Sequence, residues 1–191
     1  MSSFAQWFAR LFRAGMSPTN HEPRHHSDDC PLDQEQTPLT YTEAMKLLLG
    51  GRQGIQDWNR YVSTGATIPS LRLANLSETD LSHINLNRAD LHSANLRGAK
   101  LRFANLRETN LEEADLEHAN LDLADISFAN LRRTRFDNAT LNFTNLRGAD
   151  VNSTSFVHAD LSETNIALAK LTGSNLSDTE LPTNHITDNP S

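Results

Sequence analysis

From residue 71 to residue 181 a large apolar side chain returns at every fifth position without a slip. Leu71, Leu76, Leu81, Leu86 and Leu91 open the series, and Leu171, Leu176 and Leu181 close it. Ile126, Phe136, Val151, Phe156 and Ile166 are non-leucine members. A small residue stands two before most of them, as at Ala89, Ala94, Ala99, Ala104, Thr109 and Ala114. Asn or Asp most often stands directly before, as at Asn75, Asp80, Asn85, Asp90 and Asn95. Five is the period of neither standard element: a helix brings its apolar face round every 3.6 residues and a strand every two. An unbroken short repeat instead marks a solenoid, whose units bury their apolar side only against their neighbours. One large and one small residue per unit then point inward, the second being small because a narrow coil cannot hold two large residues per side.

The unit Ala-(Asn/Asp)-Leu-x-x, kept in phase for more than twenty consecutive copies, resembles the pentapeptide repeat family. The resemblance covers roughly three-fifths of the chain. It implies an all-β solenoid, a right-handed quadrilateral β-helix with one pentapeptide per side and a short N-terminal helical cap. Four units make a coil of about twenty residues, and at parallel-strand spacing the five to six coils form a rod of about 27 Å.

Composition narrows the function classes. A net charge of -7 gives no basic surface for nucleic acid, which is not expected as a partner. Cys30 is the only cysteine, so no intramolecular disulfide forms. No apolar run is long enough to span a bilayer, and the N-terminus lacks the apolar segment of a secretory signal. The expected address is cytoplasmic, with peripheral membrane contact as an extension of it.

Five segments follow in order. Residues 1–15 carry Phe4, Trp7, Phe8, Leu11 and Phe12 at helical spacing, with Gln6, Arg10 and Arg13 opposite. Such an amphipathic helix lies on an anionic membrane, docks in a partner's groove or packs on the protein itself. Residues 16–39 read as a flexible linker through Pro18, Pro23, Pro31 and Pro38. Its His21, His25, His26 and Cys30 are metal-ligand types, but their spacing would not hold four ligands in a tetrahedron, and no metal site is expected. Residues 40–65 read as two short helices, the first opened by the capping-box pair Thr40 and Glu43 and ended at Gly50-Gly51. Ile55 and Trp58 are the candidates for covering the exposed end of the first coil. Residues 66–181 form the repeat rod and 182–191 a loose polar tail, which leaves the last coil free for a homodimer through its C-terminal end.

Twenty-residue coils place Arg97 on Glu117, Arg102 on Asp122, Glu112 on Arg132, Glu113 on Arg133 and Asp115 on Arg135. Acidic and basic belts thus alternate. The resemblance brings one specific expectation to weigh against this: quinolone-resistance members are thought to act on type II topoisomerases by resembling DNA, which needs an uncompensated acidic face. Phe103, Leu123 and Phe143 fall on one line of one side, with Phe128 and Leu168 on the next, and form a candidate protein-interaction strip. His118, Asn138 and His158 share another line, the two histidines about two rungs apart and too distant for one zinc. No catalytic set and no cofactor loop can be assembled, since Gly50, Gly51 and Gly54 lack the Lys-Ser/Thr end of a phosphate loop. The expected function is a non-catalytic scaffold or adaptor for a protein partner yet to be identified. A DNA-mimicking inhibitor or protector of a type II topoisomerase and a membrane-tethered or translocated effector scaffold are the alternatives.

Overall fold

The computed structural model describes residues 38–182. Two helices come first. Thr40 caps α1 (Tyr41–Leu48): its hydroxyl oxygen accepts from the Glu43 N–H at 3.3 Å, and the Thr40 N–H donates to the Glu43 carboxylate at 2.8 Å. The Thr40 N–H, then its hydroxyl, hold the Glu43 carboxyl below the usual carboxylate range. Gly51, at φ +61°, turns the chain into α2 (Gly51–Ser63). A Cβ on Gly54 would lie 2.0 Å from the Leu47 carbonyl oxygen, so the two helices meet at a distance that only glycine permits. Ala44, Leu47, Leu48, Ile55, Trp58 and Tyr61 are buried in and under this pair. Leu39, assigned to the linker by composition, is buried as well, and its N–H donates to the Tyr61 hydroxyl at 3.1 Å. That hydroxyl donates onward to the Thr67 carbonyl at 2.8 Å, joining the chain before the helices to the chain after them.

From Leu71 onward one geometry recurs. The carbonyl of each central residue accepts from the N–H three residues later, as in Ala74 to Leu71 at 3.1 Å and Ala94 to Leu91 at 3.0 Å. This closes a tight turn at each corner, whose third residue has φ near +60° at every corner from Leu73 to Asp178 except Glu163. The residue before each centre pairs in parallel with the residue twenty later, from Asn75 with Asn95 to Asp160 with Glu180. Four units therefore close each coil, and the repeat is a right-handed quadrilateral β-helix. We number its sides from the first coil: side one is centred on Leu71, side two on Leu76, side three on Leu81 and side four on Leu86.

The core is a column of central residues, buried in every coil from Leu71 to Leu161. On side two the rings of Phe136 and Phe156 stack at 5.1 Å and 5°. Where the small inner residue is threonine in coils after the first, its hydroxyl finds a fixed acceptor in the coil before. Thr109, Thr134, Thr144 and Thr164 donate to the carbonyls of Leu86, Leu111, Leu121 and Leu141 at 2.7–3.0 Å. This repeated bond is why threonine replaces alanine inside without leaving a buried polar group unpaired. In the last coil the centres open to solvent, Leu171 to 36% and Leu181 to 42%. Among the described residues no helix is long and apolar enough to cross a membrane.

Candidate interaction surface

The corner residue with positive φ is turned away from the coil, and on side three it is apolar or aromatic in four successive coils. His83 comes first, and its ring stacks on Phe103 with centroids 4.8 Å apart and planes 4° apart. Phe103, Leu123 and Phe143 follow, exposed to 45%, 43% and 62%. Parallel-strand spacing makes the rungs of this line about 4.8 Å apart, so they form one continuous ridge. Side four repeats the arrangement with Phe128 and Leu168, exposed to 46% and 73%. Gly148 stands between them in register, and the Phe128 ring lies over it: a Cβ there would sit 2.7 Å from ring atom Cε1. Between the two lines runs a polar floor. Asn105 donates to Asn85 at 3.2 Å, Asn145 to Asp125 at 3.0 Å and Asn165 to Asn145 at 3.2 Å.

Cations edge this surface. The Arg102 guanidinium lies 5.4 Å from the Phe103 ring centre, and that of Arg107 4.8 Å from the Phe128 ring centre. Arg102 was expected to pair with Asp122, one coil away. Its neighbouring aromatic face competes for it, and Asp122 instead accepts from the Asn142 backbone N–H and side-chain amide at 3.1 and 3.2 Å. The expected Glu112 to Arg132 pair is replaced in the same way. Glu112 accepts from the Asn130 amide at 3.3 Å and stands 4.0 Å from Arg133, while Arg132 reaches Asp150 at 3.8 Å. The other three cross-coil pairs form: Arg97 with Glu117, Arg133 with Glu113 at 3.2 Å, and Arg135 with Asp115 at 3.4 Å. Arg135 also reaches Glu117 at 2.8 Å and Asp137 at 3.5 Å. Bonding to Arg97 holds the Glu117 carboxyl below its usual range, and bonding to Arg88 does the same for Glu108.

At the start of the rod, α2 supplies what a preceding coil would. Inside the rod the Asn105 N–H donates to the Ile84 carbonyl and the Asn105 carbonyl accepts from the Leu86 N–H, both at 2.8 Å. Asn85, one coil earlier, has no such neighbour. Its N–H donates to the Asn59 side-chain oxygen at 2.8 Å, and its carbonyl accepts from Trp58 Nε1 at 2.7 Å. The Asn59 amide also donates to the His83 carbonyl at 2.8 Å. Ile55 is buried beside them. Asn59 carries no periodic signal, and sequence reasoning passed over it. A groove of about 420 Å³ opens here, lined by Arg52, Ile55, Asn59, Asp80, Ser82 and His83. It too is invisible in the repeat pattern, because it exists only where helix meets coil.

Phe4, Trp7, Phe8, Leu11 and Phe12 lie outside the described residues, as do His21, His25, His26 and Cys30. Among the described residues no group of three or more His, Cys, Asp or Glu is placed to hold a metal ion. His118 faces its own neighbour, its Nε2 3.3 Å from the Glu117 carboxylate.

Four-sided coils, one pentapeptide to a side, define a class of solenoid, and the family profile for pentapeptide repeats matches this chain in eight copies over residues 70–102, 99–138 and 139–178. The chain belongs to the pentapeptide repeat family. No curated protein sequence matches it. Among solved structures it is similar to HetL, a pentapeptide repeat protein involved in heterocyst differentiation regulation from the cyanobacterium Nostoc: 25% identity, TM-score 0.34, 59% of this chain and 74% of HetL. It is similar to Rfr23 from the cyanobacterium Cyanothece at 35% identity and TM-score 0.36, covering 53% of this chain and 63% of Rfr23. The plasmid-mediated fluoroquinolone resistance protein QnrB1 matches at 20% identity and TM-score 0.47, with 57% of each chain covered.

Proposed function

We propose that this chain is a non-catalytic interaction module whose recognition surface is the double apolar line on sides three and four. One observation carries the reading: Phe103, Leu123 and Phe143 stay more than two-fifths exposed on three consecutive rungs, with Phe128 and Leu168 on the adjoining side. Lone exposed apolar residues are ordinary, whereas a contiguous ridge edged by arginine has the composition of a protein interface. The rigid coil presents these side chains at fixed spacing, so binding orders few rotamers and loses little entropy.

Charge mimicry of nucleic acid has less behind it, because Glu108, Glu113, Asp115 and Glu117 are each matched by an arginine. Tethering to a membrane rests on residues 1–15, and liposome binding that depends on them would add it to this function. The deciding experiment is a crosslinking capture from native lysate with wild type and the Phe103→Asp, Phe143→Asp double variant. A partner held by wild type and lost from the double variant is the expected result. An unchanged catch would remove the ridge from the function.

A further inference from the structure

We propose that the ridge on side three docks against the same ridge of a second copy, antiparallel, about a two-fold axis through Leu123. This rests on the reading of the ridge as the recognition surface, and it names the occupant. The argument is the order of residues along the line. Extended one coil beyond Phe143, the register positions run His83, Phe103, Leu123, Phe143, Glu163, the outermost two exposed and the first four sharing a positive φ that Glu163 lacks. Inverted about Leu123, the line maps onto itself: Leu123 meets Leu123, Phe103 meets Phe143, and His83 meets Glu163. An isologous contact needs this self-complementarity, in which residue i meets j and j meets i. A parallel arrangement would set His83 on His83 and Glu163 on Glu163. Sliding the antiparallel pair by one rung leaves either His83 or Glu163 beyond the contact and sets the other against a phenylalanine ring. Only the centred antiparallel register puts an imidazole N–H opposite a carboxylate at both ends.

Side four agrees with the same axis. Phe128 lies a quarter of a coil beyond Leu123, about 1.2 Å along the rod, so it meets its own copy close to the two-fold. Asp122 falls on the axis facing its equivalent, its charge already shared with the Asn142 backbone and amide donors. Five rungs span about 19 Å. That is a small interface, and small interfaces give weak, concentration-dependent association.

The test uses the full-length protein. Sedimentation over a concentration series should show a monomer–dimer equilibrium, abolished by Phe103→Asp with Phe143→Asp. His83→Glu sets two glutamates together at each end and should weaken the dimer about three- to ten-fold, the scale of two exposed charge pairs. Adding Glu163→Lys should restore it, which loss of the His83 stack alone would not allow. With Cys30 replaced by serine, Leu123→Cys should crosslink to itself through a short bismaleimide, while Leu73→Cys on side one, more exposed than Leu123, should not. Monomer at every concentration, with a lysate partner still lost from the double aspartate variant, would overturn the dimer and leave the ridge as recognition surface. Dimer formation only after Trp7→Asp with Phe8→Asp would make the chain's own N-terminal segment the occupant and overturn the proposal for the intact chain. A dimer untouched by the aspartates but lost with Leu171→Asp and Leu181→Asp would place the contact at the last coil and overturn it too.

Discussion

The residue that decides most in this fold is the second one after each centre. Eighteen non-glycine residues there, from Leu73 to Asp178, have φ between 54° and 63°. A side chain other than glycine is strained in that region, by roughly 1 kcal/mol or more each. The strain is held by the coils above and below, which bond the same backbone. Its trace is readable in composition: from Leu73 to Asp178 no Val, Ile or Thr occupies the position. A β-branched residue is the poorest fit to positive φ. Leu123→Ile should therefore lower stability by roughly 1–2 kcal/mol, whereas Leu123→Asn should be near neutral, read from denaturant midpoints. Two glycines separate strain from crowding. A Cβ on Gly173 meets nothing nearer than the Ser153 hydroxyl at 3.6 Å, while one on Gly148 strikes the Phe128 ring at 2.7 Å. Gly148→Ala should cost more than Gly173→Ala, and only the former should shift the Phe128 ring resonances.

At the scale of elements, the junction of α2 with the first coil is the part whose stability is least shared. Each inner coil is bonded on both faces, but Asn85 depends on two side chains, Trp58 and Asn59. Trp58→Phe removes one bond and should cost about 1–3 kcal/mol, because the Asn85 carbonyl is left without its donor. Asn59→Ala strips partners from Asn85 and His83 together and should speed amide exchange at Asn85 more than at Asn105. This contrast shows what the sequence made legible. The rod follows from period alone, since one apolar residue in five over more than twenty units admits few other packings. The ridge follows too, because a twenty-residue coil turns sequence separation into spatial register. Asn59 does not, since nothing distinguishes it from any exposed helical asparagine until the coil it faces is in place. Arg102 was misassigned for a related reason: register sets which residues are near, but a long side chain with both a carboxylate and an aromatic ring in reach is settled by local geometry.

For the whole molecule, the cross-coil ion pairs make stability depend on pH in a definite sense. Bonds to Arg88 and Arg97 hold the Glu108 and Glu117 carboxyls below the usual carboxylate range in the folded state. Asp80 and Asp160 are likewise lowered, through bonds to Ser82 and Ser162. A carboxylate whose proton affinity falls on folding stabilises the fold above its unfolded value and loses that contribution as pH drops through the lower, folded one. Thermal midpoints should therefore hold from neutral pH to about 5 and fall below 4.5, and Glu117→Gln should flatten that fall. Because these carboxylates reach solvent, added salt should weaken the pairs as well.

The pentad phase has a further consequence, for how such a rod changes over generations. Removing five residues, for instance 131–135, returns an apolar centre to every core position and leaves the coils able to close. Everything downstream is re-clocked by a quarter turn. Phe143 would then stand on side two, away from Phe103 and Leu123, in a rod with an intact interior. Length changes in units of five act as an indexing mechanism: they rewrite which outward residues share a face without disturbing the column that holds them. A scaffold of this kind can trade one partner for another by arithmetic, with no new core to be found.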